Sequence, residues 1–361
     1  MVDAAGQLAT EEPARPVRPG WLPRMRWAVQ FGLGDADATV VALAGFLLRG
    51  GFLVVLLPIV VLPSVIGLAG ATGVEAFGID GHPTAWLFEM AAVVAVVAAA
   101  YLILAFVVGS LVDVLVIGAA LDPDAGAAPR TRSLPGMGLV VDLAIIRAIC
   151  AAPMGPALYW AGVQIYSSAY DELTTPTNLA TPLAVRVVQD AAPAVLVLVL
   201  TWLVSEVFGA MVIRRMVLLD TGIARSFAGA LFQLVGRPIS TMATAIVSYG
   251  VSAAAIGLAL VASATTFDWC RVVARISQPI TITIGADPFS TTRDFRPVVF
   301  LLSAAALCVS WIVALAISGV ASAWRSAALT GETLAAEPAV DIEAAAQRCG
   351  LLGRGPDRSG D

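Results

Sequence analysis

The stretch LAGFLLRGGFLVVL, Leu43 to Leu56, decides how the rest of the chain is read. An apolar run reaches Arg49, breaks at Gly50-Gly51, and resumes as a still more hydrophobic run. The same junction recurs around Arg147 in DLAIIRAICAAPMGP, Asp142 to Pro156, and around Arg237 in ALFQLVGRPISTM, Ala230 to Met242. The three arginines recur at intervals of roughly 90 to 100 residues, a period long enough to hold one structural unit each. A basic turn between such segments suits a helix lying at the headgroups that then dives through the bilayer. Arg49, Arg147 and Arg237 are therefore read as membrane-interface junctions.

Working outward from Arg49, the chain is almost continuously apolar from Ala38 to Gly70. That is about 33 residues, whereas a hydrocarbon core of about 30 Å takes about 20 helical residues. A bend is required, and Arg49-Gly50-Gly51 is the place for it. Further spans are expected from Trp86 to about Gly118, Ile149 to Tyr166, Pro193 to Ile213, Ile239 to Ala264, and from Pro297 to about Trp324. The expected fold is an all-α integral membrane protein: six transmembrane helices as three repeated units of interfacial amphipathic helix plus transmembrane hairpin.

The surface-helix pattern is clearest before Arg237. Ile223, Phe227, Leu231 and Leu234 share one face, with Arg225, Ser226, Gly229, Gln233 and Arg237 opposite. Among the outer segments, Thr265 to Arg296 holds an amphipathic piece, FDWCRVVARI, and the alternating run Ile280 to Ile284, which suits a small strand. Residues 1–35 read as a largely disordered cytoplasmic segment, 36–329 as the transmembrane domain, and 330–361 as a largely disordered cytoplasmic tail with room for one short helix around Val340 to Arg348. The polar start has no apolar core of signal-peptide length, so it is expected to stay on the protein.

Composition agrees. In 361 residues, 59% hydrophobic and 13% charged content is more apolar surface than a soluble fold buries, and the mean hydropathy is +0.88. All 21 basic residues are Arg, which suits a GC-rich bacterial genome as well as any function. With the amino terminus inside, about 16 arginines fall on the inner side and about 5 outside, the latter being Arg186, Arg271, Arg275, Arg293 and Arg296. Both termini are thus expected in the cytoplasm of a bacterial inner membrane protein.

Chemistry-bearing motifs are sparse. There is no Walker loop, GxSxG, HExxH or dinucleotide fingerprint. His82 is the single histidine, and Cys150, Cys270, Cys308 and Cys349 share no short spacing, so no metal site, cofactor or catalytic residue is assigned. The arginines are dispersed among junctions rather than gathered in a soluble module, which argues against nucleic acid.

Polar residues inside the spans are the remaining candidates. Ser240, Thr244, Ser248 and Ser252 recur every fourth residue, as do Ser310, Ala314, Ser318 and Ser322. Such rows ordinarily let helices pack closely, and a hydrated seam is the alternative. Tyr101, Ala105, Gly109 and Asp113 share a face that ends in an acid near the inner boundary. Glu206 lies about two turns before Arg214, below headgroup level. An embedded carboxylate needs a partner, so Glu206 is expected to meet Arg49 or Arg147; a proton or cation relay is the rival reading.

The even spans exit alike, in GAMVIRRMVLLDTG (Gly209 to Gly222) and GVASAWRSAALTG (Gly319 to Gly331), with LVIGAALD (Leu115 to Asp122) a weaker copy. Surface helix plus hairpin, used three times with this exit, resembles the polytopic membrane domains of many bacteria, including the kind fused to glycerophosphodiester phosphodiesterases. The resemblance covers roughly Ala36 to Gly331; no phosphodiesterase module is present, so no activity or site residue is implied. The expected function is a non-enzymatic membrane component that organises lipid or binds a membrane or cytoplasmic protein partner through its surface helices. The alternative is a subunit of a transporter or channel for a small solute, ion or lipid.

Overall fold

Asp35 starts the first long apolar helix, its carboxylate accepting the Ala38 backbone N–H at 2.9 Å. The computed structural model describes residues 20–59, 78–79, 82–121, 134–178, 181–276, 280–284, 287–291, 297–337 and 340–350. Its helices are α1 (Trp21–Gly34), α2 (Ala36–Phe46), α3 (Phe52–Leu56), α4 (Ala85–Leu121), α5 (Met137–Ala151), α6 (Met154–Thr174) and α7 (Leu183–Asp190). They continue with α8 (Ala192–Leu219), α9 (Ile223–Gly236), α10 (Pro238–Ile276), α11 (Pro297–Ala336) and α12 (Ile342–Arg348). Among the described residues, strands are confined to two short antiparallel hairpins, Gly78–Ile79 with His82–Pro83 and Ile280–Ile284 with Asp287–Thr291.

Among the described residues, five helical stretches are long and apolar enough to cross a membrane: Ala36–Ile59, Phe88–Leu121, Ala192–Leu219, Pro238–Ala274 and Val298–Ala336. A sixth follows if α5 and α6, bent by 44° relative to each other, count as one span. The chain breaks near each junction arginine. Leu47–Gly51 form a wide turn in which Arg49 (φ −87°, ψ 21°) and Gly50 (φ 95°, ψ −2°) leave helical geometry. The α5–α6 bend falls at Ala152-Pro153, where proline cannot donate to the preceding turn. At the third, Arg237 (φ −138°, ψ 53°) ends α9 and Pro238 opens α10.

Exposure divides the long helices into two parts. Along α4, large apolar side chains from Trp86 to Val107 face outward, whereas most side chains from Gly109 to Leu121 are buried. In α8 the exposed part ends at Val204 and nearly every residue from Gly209 to Leu218 is buried. In α11 the change falls between Val313 and Ser318. The outward-facing part of α4 is roughly 33 Å long at 1.5 Å per residue, close to a bilayer's hydrocarbon thickness. Beyond it the helix ends pack with α1, α9 and α12 into a second layer, here called the terminal layer, whose core holds Ile117, Leu143, Ile146, Ile213 and Leu218.

The structure departs from expectation at both ends of the chain. Residues 21–34, assigned to a disordered segment, form α1, which buries Met25, Ala28 and Phe31 against α11. Residues 1–19 and 351–361 lie outside the described residues. The helix of the sixth span does not end near Trp324, nor does Thr330-Gly331 turn; α11 runs to Ala336 and buries Thr330, Glu332 and Thr333. The cause is polar: Glu332 is the acceptor for groups brought by α1 and α10, so the helix gains partners by continuing. The short helix read around Val340 to Arg348 is present as α12, where Asp341 caps it and Arg348 donates to Val217 O (3.1 Å) and Leu218 O (2.8 Å), carbonyls at the end of α8. The amphipathic piece FDWCRVVARI continues α10, which runs past Ala264 to Ile276.

The left-handed backbone at Gly50 is what turns the chain at the first junction. A Cβ there meets nothing within 4 Å, so a substitution acts through the backbone alone. Gly50→Ala is expected to cost roughly 1–2 kcal/mol and Gly50→Asn less, read as unfolding midpoints in detergent. Equal midpoints for all three proteins would show that the turn is not built this way.

Candidate functional site

Two of the junction arginines converge on two acids. Gly45 lets α2 lie against α4, since a Cβ on it would come within 2.6 Å of Val112 Cγ1, and the break after Arg49 turns its side chain toward α4. There one Arg49 Nη2 donates to Asp113 Oδ1 and lies 3.5 Å from Gly109 O. Its Nη1 is 3.6 Å from Glu206 Oε1 on α8. Arg147, from the last turns of α5, pairs with the other Asp113 oxygen, and its Nη1 is 4.0 Å from Glu206 Oε2. The four side chains form a ring of alternating sign, Arg49–Asp113–Arg147–Glu206, drawn from the end of α2 and from α4, α5 and α8. All four are at least three-quarters buried, so each charge depends on the other members rather than on water.

Beside the ring is a cavity of about 30 Å³, also walled by Arg214, Tyr249, Ser322, Arg325 and Ser326. Arg214 donates to neutral acceptors: Ala210 O (2.8 Å), Ser326 Oγ (3.0 Å), Ser326 O (3.2 Å) and Thr330 Oγ1 (3.2 Å). The Arg325 guanidinium lies 4.6 Å from the centroid of the Tyr249 ring, a cation–π arrangement. On its other side the ring floors a crevice of about 430 Å³ between α4, the α5–α6 bend and α8, lined by Tyr101, Ala105, Leu158 and Trp202 among others. The row Tyr101, Ala105, Gly109 and Asp113 thus runs down the crevice wall into the ring.

The other candidates are placed elsewhere. Arg237 does not line the cavity. Ser240 and Thr244 donate to Glu332 Oε2 at 2.9 and 3.3 Å, and the same oxygen takes Arg24 at 3.0 Å. Trp21 Nε1 donates to Thr244 Oγ1 at 3.0 Å, so this second polar group fastens α1 to α10 and α11. Burial pulls Arg24 below its ordinary range while Glu332 opposes the shift. Ser248 bonds within its helix to Ala245 O, and Ser252 reaches Ala321 O on α11 at 3.2 Å. The row that begins at Ser240 therefore divides among different partners and packing contacts.

Sequence reading missed Arg214 and Arg325 as site residues by assigning them to the headgroups, and it missed Tyr249 and Glu332. A usable signal was present for Arg325: it stands in the matched Gly-to-Arg exits. Among the described residues, no group of three or more His, Cys, Asp or Glu side chains is placed to hold a metal ion. All four cysteines are free, and burial pushes the Cys349 thiol up to about 12. Comparison with protein-family models, with curated proteins and with solved structures finds no match.

Removing the Asp113 charge leaves two buried guanidinium groups with only the more distant Glu206 to offset them. Asp113→Asn is expected to lower stability by roughly 3 kcal/mol, measured by denaturant or thermal unfolding in detergent. An unchanged midpoint would mean that the ring contributes nothing to holding the helices.

Proposed function

We propose that the chain is a non-enzymatic, multi-pass protein of the bacterial inner membrane, both termini cytoplasmic, that holds lipid at the inner edge of the bilayer. In this reading the terminal layer is the cytoplasmic one, as the arginine distribution favours. The three breaks mark three units of surface helix plus hairpin, in keeping with the resemblance to bacterial polytopic membrane domains. On α9, Leu231, Phe232 and Val235 are exposed together, which suits a helix resting on lipid, although Ser226 and Gln233 of its polar face turn inward.

The observation that carries the reading is the crevice. Its volume, about 430 Å³, is within the range of small-ligand sites, its walls are mainly apolar, and it ends on Arg49, Arg147 and Glu206. Leu102, Leu158 and Trp202 in its lining are exposed as well, so it opens sideways within the outward-facing apolar band. A cleft of that character takes an acyl chain more readily than a water-soluble substrate. The test is mass spectrometry of protein purified in mild detergent and washed extensively. About one lipid per chain is expected to remain, as at a site with a single cleft. A folded protein that keeps none would refute the reading.

A transporter or channel subunit is the second reading, favoured by the two carboxylates beside a cavity among the long helices. Proteoliposomes decide between them. Lipid holding predicts no solute flux, whereas flux abolished by Glu206→Gln in a protein that still folds would establish the relay.

A further inference from the structure

We infer that the crevice and the charged cavity form one site for an amphiphile ending in a phosphate monoester, with the apolar chain in the crevice and the phosphate among the arginines. This rests on the lipid-holding reading and specifies its ligand.

The two spaces adjoin, since Arg49, Arg147, Glu206 and Ala210 line both. Their charges do not balance. Four guanidinium groups, on Arg49, Arg147, Arg214 and Arg325, face two carboxylates, an excess of two positive charges. Asp113 and Glu206 are already shared between Arg49 and Arg147. The excess therefore belongs with Arg214, held by neutral oxygens, and Arg325, stacked on Tyr249. Walls of low dielectric concentrate such a field, and an anion entering it replaces lost hydration with fixed donors. Among the described residues the Nε atoms of Arg49 and Arg147 are buried donors without a hydrogen-bond partner, and both residues stand at the neck between the spaces.

Size selects among anions. About 30 Å³ is room for roughly two waters. Two oxygens of a terminal phosphate fit that space; a headgroup esterified beyond the phosphate does not. An ammonium-bearing headgroup would also bring positive charge to a site already in positive excess. Several guanidinium groups suit phosphate oxygens, which accept forked donors. Phosphatidic acid and prenyl phosphates share this chemistry and differ in their chains.

The test uses the full chain in maltoside detergent, stripped of lipid and titrated under native mass spectrometry. The probes are phosphatidic acid, farnesyl phosphate, phosphatidylglycerol, phosphatidylethanolamine and inorganic phosphate. Phosphatidic acid or farnesyl phosphate is expected to bind at one per chain, at least about tenfold tighter than the other three. The better of the two identifies the chain type. Arg325→Gln is expected to weaken that binding about tenfold and leave phosphatidylethanolamine unaffected. Gly155→Phe fills the crevice, where a Cβ meets nothing within 4 Å, and is expected to abolish binding of both phosphate amphiphiles with the unfolding midpoint retained.

If Arg325→Gln fails to fold, the wild type's salt response replaces it: binding of the phosphate amphiphile falls as salt rises, and that of phosphatidylethanolamine does not. Equal binding of all the lipids, blocked by Gly155→Phe, would overturn the phosphate assignment and leave lipid holding intact. Inorganic phosphate binding as tightly as the amphiphiles would remove the chain from the proposal. No lipid binding at all would overturn both.

Discussion

Four charges of alternating sign, placed where the outward-facing apolar band gives way to a packed interior, are the constraint on which the other contacts depend. Taking a carboxylate or a guanidinium out of water costs several kcal/mol per ion, and neither Asp113 nor Glu206 has a single partner that restores it. Each is shared by Arg49 and Arg147 instead. The sharing makes the arrangement cooperative, because displacing one arginine deprives two acids. It also ties together helices far apart in sequence, since α2 and α4 supply one pair and α5 and α8 the other. Apolar contacts alone do not select an arrangement in lipid, where one apolar face is as acceptable as another. A closed ring of charge does.

The breaks in the chain follow from that requirement. An arginine in the middle of a straight apolar rod would point into lipid. At Arg49 the helix opens, Gly50 takes a left-handed conformation, and the side chain reaches Asp113 and Glu206. Arg147 is delivered from the end of α5, just before the chain bends by 44° into α6. Arg237, at the third break, serves a different region, close enough to Arg24 for their like charges to interact. There Glu332 gathers Arg24, Ser240 and Thr244 and gives the terminal layer its own polar centre.

Much of this architecture was legible in the residues. The excess length of the apolar run around Arg49 demanded a bend, and the embedded Glu206 demanded an arginine. Both follow from the solvent, because a bilayer sets the length of a span and forbids an unpaired charge. What could not be read was the reach of the helices beyond the outward-facing apolar band. A polar stretch such as Thr330 to Thr333 looks like a tail unless its partners are known, and those partners, Arg24 and Ser240, lie far away in sequence. For the same reason Arg214 and Arg325 passed as headgroup arginines. Tertiary packing in the terminal layer buries Arg214 and half-buries Arg325, which hydropathy does not report.

Arg147 and Asp113, from different parts of the chain, stabilise the fold through each other. A double-mutant cycle on Arg147→Gln and Asp113→Asn, read by reversible denaturant unfolding in mixed micelles, measures this directly. The ring predicts that the two losses are not additive, with a coupling energy of about 1–3 kcal/mol. Losses that add to within a few tenths of a kcal/mol would contradict it.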